Sequence, residues 1–139
     1  MSTALPISEI MTTDVVYAHT GHTLTQIQKC FTEFDFHHLP VVDSGELVGI
    51  ISSSDVMQFY AKNAKEFLSQ GISDLDKEFS VYTEMTKKPV TVSPETPVSK
   101  VAEIIAEGGF HAIPILKEGQ LVGIVTSNDI IKFVAQAYA

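Results

Sequence analysis

Arginine is missing altogether. All nine basic residues are lysine, set against 17 carboxylates, for a net charge of −8. Nucleic acids are bound largely by neutralising phosphates, so this balance argues against DNA or RNA as a partner. It bears less on one small nucleotide, whose phosphates can be held by backbone N–H groups, hydroxyls, Lys or His. A triphosphate without guanidinium clamps is harder to hold tightly. Cysteine is nearly absent too: Cys30 is the single one, which excludes an internal disulfide framework and a Cys-based zinc site. No apolar run approaches the roughly 20 residues needed to span a bilayer. The opening MSTALPISEIM lacks the basic and apolar regions of a secretory signal. A soluble cytoplasmic protein is the expectation, with neither nucleic acid nor membrane as partner.

What is present is a core in duplicate. The 139 residues are 45% hydrophobic and 19% charged, too apolar for a disordered regulator. Sliding the chain against itself by 74 residues sets Met11-Thr12 on Met85-Thr86 and runs ungapped to Phe59 and Phe133. Within that alignment FHHLPVVDSGELVGIISSSDVMQF (36–59) faces FHAIPILKEGQLVGIVTSNDIIKF (110–133), with 11 of 24 positions identical. Two copies imply a pseudo-symmetric pair rather than a solenoid, which needs about three or more.

Each copy reads as β-α-β-β-α. VVYA and PVTV are short strand candidates. Leu24, Ile27, Phe31 and Phe34 make one helical stripe, with Cys30 inside it as core; Val98, Val101 and Ile105 make the other. Thr96-Pro97 is expected to supply an N-cap and an N1 proline, and Gly108-Gly109 to end that helix. Two apolar runs around DSGE and KEGQ predict hairpins, and a last helix starts near Asp55 or Asp129. Residues 61–80 are expected to continue the first closing helix to Gly71, then to pass into a polar linker. The expected organisation is a first repeat at 1–68, a linker at 69–80 and a second repeat at 81–139. The fold class is α/β (α+β), with the repeats packed sheet to sheet because neither buries its sheet well alone. The closing helices remain very apolar at Val56, Met57, Phe59 and Tyr60, and at Ile130, Ile131, Phe133 and Val134. That excess predicts a homodimer through them, the alternative being that this surface is simply core between the repeats.

Two motifs recur at fixed spacing. Ser52-x-x-Asp55 and Thr126-x-x-Asp129 match a capping box, in which hydroxyl and carboxylate each satisfy a backbone N–H. The same arrangement suits a ligand. A helix start attracts anions, and a carboxylate accepts the paired donors of a ribose diol. Upstream of each lies Phe-His-x-x-Pro, at Phe36-His37 and Phe110-His111. An apolar residue there can wall a base, and its neighbouring His can meet a phosphate. No Ser/His/Asp ordering, paired carboxylates or Gly-rich phosphate loop appears, so no catalytic residue, enzyme activity or required cofactor is expected. His37, His38 and His111 have no acidic or Cys companion at metal-ligand spacing, so no metal is expected.

The paired motifs LPVVD-x-G-x-L-x-G-I-[IV]-[ST]-x-x-D and MT, in duplicate over residues 7–60 and 81–134, resemble a tandem pair of CBS domains, the cystathionine β-synthase-type regulatory module. The resemblance implies a stand-alone Bateman module of bacterial type that senses a ligand without catalysis. AMP, ADP, ATP or S-adenosylmethionine would bind in two symmetry-related composite clefts, commonly within a dimeric disc. By position, one cleft takes Ile124, Thr126 and Asp129 with Thr12, Val16, Phe36 and His37. The other takes Ile50, Ser52 and Asp55 with Thr86, Val90, Phe110 and His111. The resemblance implies Asp at the ribose, Ser or Thr at the phosphate, and Val, Ile and Phe at the adenine. The family often has an Arg beside the phosphates; here His37, His38, His111, Lys87, Lys88 and Lys132 hold that territory. This favours AMP, adenosine or S-adenosylmethionine over tightly held ATP. Imidazoles gain charge near pH 6.5, so a phosphorylated ligand is expected to bind tighter at pH 6 than at pH 8. The rival reading is a ligand-free dimerisation or docking module that regulates a partner protein.

Overall fold

The two repeats fold alike, but the folded units do not follow the repeat boundaries. The computed structural model describes residues 5–137. Its contacts gather into two units, one spanning Val16–Lys88 and the other joining the chain through Val15 to the chain from Pro89 onward.

The Val16–Lys88 unit contains α1 (Leu24–Glu33), β1 (His38–Asp43), β2 (Glu46–Ser52), α2 (Ser53–Lys62), α3 (Ala64–Gln70), α4 (Ile72–Glu78), α5 (Val81–Glu84) and β3 (Thr86–Lys87). A full capping box starts α1: Thr23 accepts from the Gln26 N–H, and Gln26 accepts from the Thr23 N–H. Leu24 and Ile27 are buried, and Phe31 and Cys30 pack half-buried against them. The expected stripe stops there. Phe34 is the C-cap, with extended backbone, and its side chain is 47% exposed.

β1 and β2 pair antiparallel through a two-residue turn with Ser44 at φ 51° and Gly45 at φ 80°. Both values are positive, as a type I′ turn requires; its twist matches that of the flanking strands. The register jumps between Val41↔Gly49 and Val42↔Leu47, leaving Val48 as a bulge. β3 adds to the far edge of β2, with Thr86 opposite Ile50. Leu39, Val41 and Ile51 from this sheet join Leu24, Ile27, Val56 and Phe59 in the core.

The stretch read from sequence as a polar linker carries α4 and enters that core. Leu75 and Phe79 are buried, and the Phe79 ring stands edge-on to Phe59 at 5.1 Å. Their i,i+4 spacing lies hidden among Asp74, Asp76, Lys77 and Glu78, so the charges dominate a reading by composition. Nor does α2 run on to Gly71. Asn63 stops it by turning its side-chain amide onto the Phe59 carbonyl at 2.9 Å, and α3 starts afresh.

The other unit contains a 3₁₀ turn (Ile7–Glu9), α6 (Val98–Gly108), β4 (Ala112–Lys117), β5 (Gln120–Thr126) and α7 (Ser127–Ala137). Its hairpin repeats the type I′ turn at Glu118 and Gly119 and the bulge after Ile115. Val98, Val101 and Ile105 are all buried against Ile113, Ile115, Val125 and Ile7. The N-terminal segment is stitched on by Ile7 N–H to Thr96 O at 2.7 Å and Val98 N–H to Leu5 O at 2.8 Å.

Pro97 takes the N-cap rather than N1, and Thr96 turns its hydroxyl to Ser93 instead of capping α6. Gly109, at φ 72°, terminates α6 as expected. The VVYA and PVTV strands shrink to single parallel bridges, Ala18–Val41 and Val92–Ile115. Both closing helices keep apolar surface in the open. Met57 is 66% exposed, Ile131 64% and Val134 46%.

Candidate ligand-binding site

The site begins with a close approach of backbones. In the unit from Pro89 onward, Thr12 donates to the Ile124 carbonyl at 2.9 Å and accepts from the Ile124 N–H at 3.0 Å. In the Val16–Lys88 unit, Thr86 sits opposite Ile50 in the same way. The Met-Thr pair of each repeat therefore joins the hairpin of the other repeat. Two glycines permit this. A Cβ on Gly49 would stand 2.7 Å from the Thr86 carbonyl oxygen and closer still to the Met85 sulfur. A Cβ on Gly123 would stand 2.5 Å from the Met11 sulfur and 3.1 Å from the Thr12 carbonyl oxygen. Real Cβ atoms essentially never come within 3.0 Å of another heavy atom, so the neighbours would have to shift, the Thr86 backbone less easily than the Met side chains. Met85 is itself buried, and Met11 packs half-buried on the neighbouring core.

This pairing puts Ile50 and Ile124, both half-buried, on the opposite sheet face from the buried Ile51 and Val125. Two residues further on, each strand runs directly into its closing helix. Ser52 N–H donates to Asp55 Oδ2 at 2.8 Å, and Asp55 N–H donates to Ser52 Oγ at 3.1 Å. In the other unit Thr126 N–H reaches Asp129 Oδ2 at 2.9 Å, and Asp129 N–H reaches Thr126 Oγ1 at 3.2 Å. Both are reciprocal capping boxes. Each carboxylate spends Oδ2 on the backbone, so Oδ1 remains the oxygen to face a ligand.

The Phe-His islands lie alongside. The His37 carbonyl accepts from Ser53 N–H at 2.9 Å, and the His111 carbonyl accepts from Ser127 N–H at 2.9 Å. One more N–H of each helix start is thereby committed, and both His side chains are exposed. Phe36 lies flat on Phe34, with centroids 5.2 Å apart and planes 7° apart, and edge-on to Phe31. Phe110 folds back over Gly108, where a Cβ would strike its ring. Each Phe is packed half-buried on the core of its own unit.

The predicted residues thus fall into sets. Thr12, Ile124, Thr126 and Asp129 come together, as do Thr86, Ile50, Ser52 and Asp55. Val16, Phe36 and His37 belong to the Val16–Lys88 unit, and Val90, Phe110 and His111 to the other. Val16 is half-buried on its core, whereas Val90 is exposed. Reading the repeat did not give Met11 and Met85 a role. The signal was present: each Met precedes its Thr, and Gly49 and Gly123 align in register.

Among the described residues there is no cluster of three or more metal-ligating side chains, and no helix is long and apolar enough to cross a membrane. One apolar groove of about 530 Å³ opens on the α2–α3 corner, lined by Met57, Tyr60, Ala61, Ala64, Phe67 and Leu68, with Gln28 at its edge. The Tyr60 hydroxyl donates to Gln28 Oε1. Burial, and then the Asp76 carboxylate, push the Tyr60 phenol above its ordinary value.

Comparison with known proteins agrees with this architecture. The CBS domain model matches residues 7–62 and again 77–136. The chain is 31% identical over 134 residues to an L-aspartate semialdehyde sulfurtransferase of Methanosarcina acetivorans, covering 95% of this chain and 24% of that protein. The crystal structure of MJ1225 from Methanocaldococcus jannaschii superposes with a TM-score of 0.82 at 26% identity, over 93% of this chain and 47% of that one. The chain spans less than half the length of these two proteins. The CBS domain pair of protein MJ0100, solved with 5′-methylthioadenosine and S-adenosylmethionine, matches over 97% of this chain and 99% of its own, with a TM-score of 0.78 and 26% identity. Tandem motifs, matched hairpins and exchanged Met-Thr segments thus lead to one conclusion: this chain belongs to the CBS-domain family.

Proposed function

We propose that the chain is a regulatory module that binds an adenosine-type small molecule at its two Ser/Thr–Asp boxes. The observation that carries this reading is the doubled arrangement itself. In each unit a Met-Thr segment is hydrogen-bonded to the strand that ends in the box, and each Asp keeps Oδ1 for an outside donor. A ribose diol supplies such donors. The MJ0100 pair supports the ligand class, since both of its named ligands carry adenosine. Val16, Phe36 and His37 remain the contributors proposed to complete the Asp129 site, and Val90, Phe110 and His111 the Asp55 site. The lack of arginine favours AMP or S-adenosylmethionine over ATP. The exposed Met57, Ile131 and Val134 support a homodimer through α2 and α7.

A second reading, a docking module acting through a partner protein, is favoured by the apolar groove at Met57, Ala61, Ala64 and Leu68. A thermal-shift screen with AMP, ADP, ATP, NADH and S-adenosylmethionine separates the two. A ligand at about 100 times its Kd adds about 2.7 kcal/mol of stability. Asp55→Asn/Asp129→Asn keeps an acceptor for each capping bond while removing the charge, so it should fold and lose the shift. If no ligand raises the melting temperature of the wild type, the docking reading stands instead.

A further inference from the structure

The segment before α1 reads Tyr17-Ala18-His19-Thr20-Gly21-His22-Thr23 and has no part in the boxes. Ala18 ties it to β1, donating to the Pro40 carbonyl at 2.8 Å and accepting from the Val42 N–H at 2.8 Å. His19 adds a bond from Nδ1 to the Val42 carbonyl at 3.0 Å. A carbonyl only accepts, so His19 Nδ1 carries a proton and keeps this bond whether the ring is neutral or charged.

His22 is wired the opposite way. Its N–H donates to the His19 carbonyl at 3.1 Å, and its Nδ1 accepts from the His19 N–H at 2.9 Å, closing the turn from both sides. An N–H can only donate, so His22 Nδ1 must be bare. Protonating the imidazole puts a hydrogen on both ring nitrogens. The acceptor then becomes a donor facing a donor, beside a second imidazole whose centroid is 5.3 Å away.

We infer that His22 is a proton-sensitive latch: neutral, it closes the second side of the 19–22 turn; protonated, it gives up that bond and loosens the turn, while Ala18 and His19 keep the segment on β1. Burial first, and the charge of His19 second, hold the His22 imidazole below its ordinary value. A depressed histidine stabilises the fold above the unfolded value of about 6.5 and loses that contribution as pH falls through the folded value. The surrounding groups do not offset this. Tyr17 stands edge-on to His19, the first turn of α1 has no acidic residue, and Asp43, next after Val42, is exposed.

The latch is read without ligand, so its failure and that of the adenosine reading are distinguishable. The test is an NMR titration of the imidazoles together with water exchange of the His19 amide, corrected for intrinsic chemistry, from pH 7.5 to 5.5. The latch requires a His22 midpoint below 6.5 and His19 amide protection that falls about fivefold with it, the change expected for one lost hydrogen bond. His22→Asn offers Oδ1 in place of Nδ1 and takes up no proton, so its His19 protection should stay level. A His22 midpoint at or above 6.5 overturns the latch, as does His19 protection that ignores the titration. So does an acid loss in His22→Asn that matches wild type. Should that variant fail to fold, the wild-type titration decides alone.

Discussion

Thr12 and Ile124 lie near opposite ends of the chain and exchange two backbone hydrogen bonds, 2.9 Å from the Thr12 N–H and 3.0 Å in return. This is the hydrogen-bonded pair of an antiparallel ladder. It attaches the start of the first repeat to the hairpin of the second, just before the box that ends in Asp129. Thr86 does the same at Ile50. Each Ser/Thr–Asp box therefore has a strand beside it that came from the other repeat.

The two glycines under these strands should be among the least replaceable residues. Overpacking of this kind costs about 1–3 kcal/mol. Gly49→Ala should cost more than Gly123→Ala, because its Cβ meets the Thr86 backbone at 2.7 Å, whereas Gly123 mainly faces the Met11 side chain. Urea unfolding would show the order. Met11→Ala should recover part of the Gly123→Ala loss, giving a non-additive cycle.

Capping and ligand binding can be separated at the same residues. Ser52→Ala and Thr126→Ala each remove the acceptor for an Asp N–H and should cost about 1 kcal/mol. Asp55→Asn and Asp129→Asn should cost less, since the amide oxygen still accepts from the Ser52 or Thr126 N–H. A denaturation series on the four variants tests this. Equal losses from all four would mean that the charge matters more than the acceptor.

Asp76 joins α4 to α1, accepting from the Thr25 N–H at 3.0 Å and the Thr25 hydroxyl at 2.7 Å. Asp76→Ala should lower stability by about 1 kcal/mol without changing the urea m-value. The bonds are exposed, so the loss falls below the roughly 1.5–3 kcal/mol of hydrogen bonds to charged groups. The same change should let Tyr60 ionise more readily, which absorbance at alkaline pH would register.

Tyr60 supplies an alkaline counterpart to His22. Its phenol is held above the ordinary value of about 10 by burial and then by Asp76. A raised value means the folded state keeps its proton longer. That stabilisation is present below about pH 10 and is lost as pH rises through the folded value. Tyr60→Phe should flatten this alkaline loss while costing about 1 kcal/mol at neutral pH for the bond to Gln28. Melting temperatures from pH 7 to 11 would check both.

The sequence alone determined the local elements and most of the candidate residues. Type I′ hairpins need positive φ at two adjacent residues, and Ser44-Gly45 and Glu118-Gly119 supply them. Ser52-x-x-Asp55 and Thr126-x-x-Asp129 cap helices at a spacing fixed by helix geometry. Such features depend on neighbours in the chain, and duplication made them legible. Where local signals conflict, tertiary packing and helix termination override them. Phe34 fits the stripe, but Phe34 is the C-cap, where the backbone is already extended. Leu75 and Phe79 are buried, but four charged residues surround them in sequence.

Only the tertiary structure decided which pieces belong together. Repeat alignment groups Met11-Thr12 with residues 16–60; the fold groups it with Gly123 and Ile124. A strand edge is satisfied by any backbone that reaches it without a clash. Gly49 and Gly123 open that room to the segment arriving from the other repeat. The partnership of His19 and His22 is equally tertiary in origin. The spacing H-x-x-H is visible in the sequence, but only contact with Val42 fixes His19 as a donor, and only the closed turn fixes His22 as an acceptor.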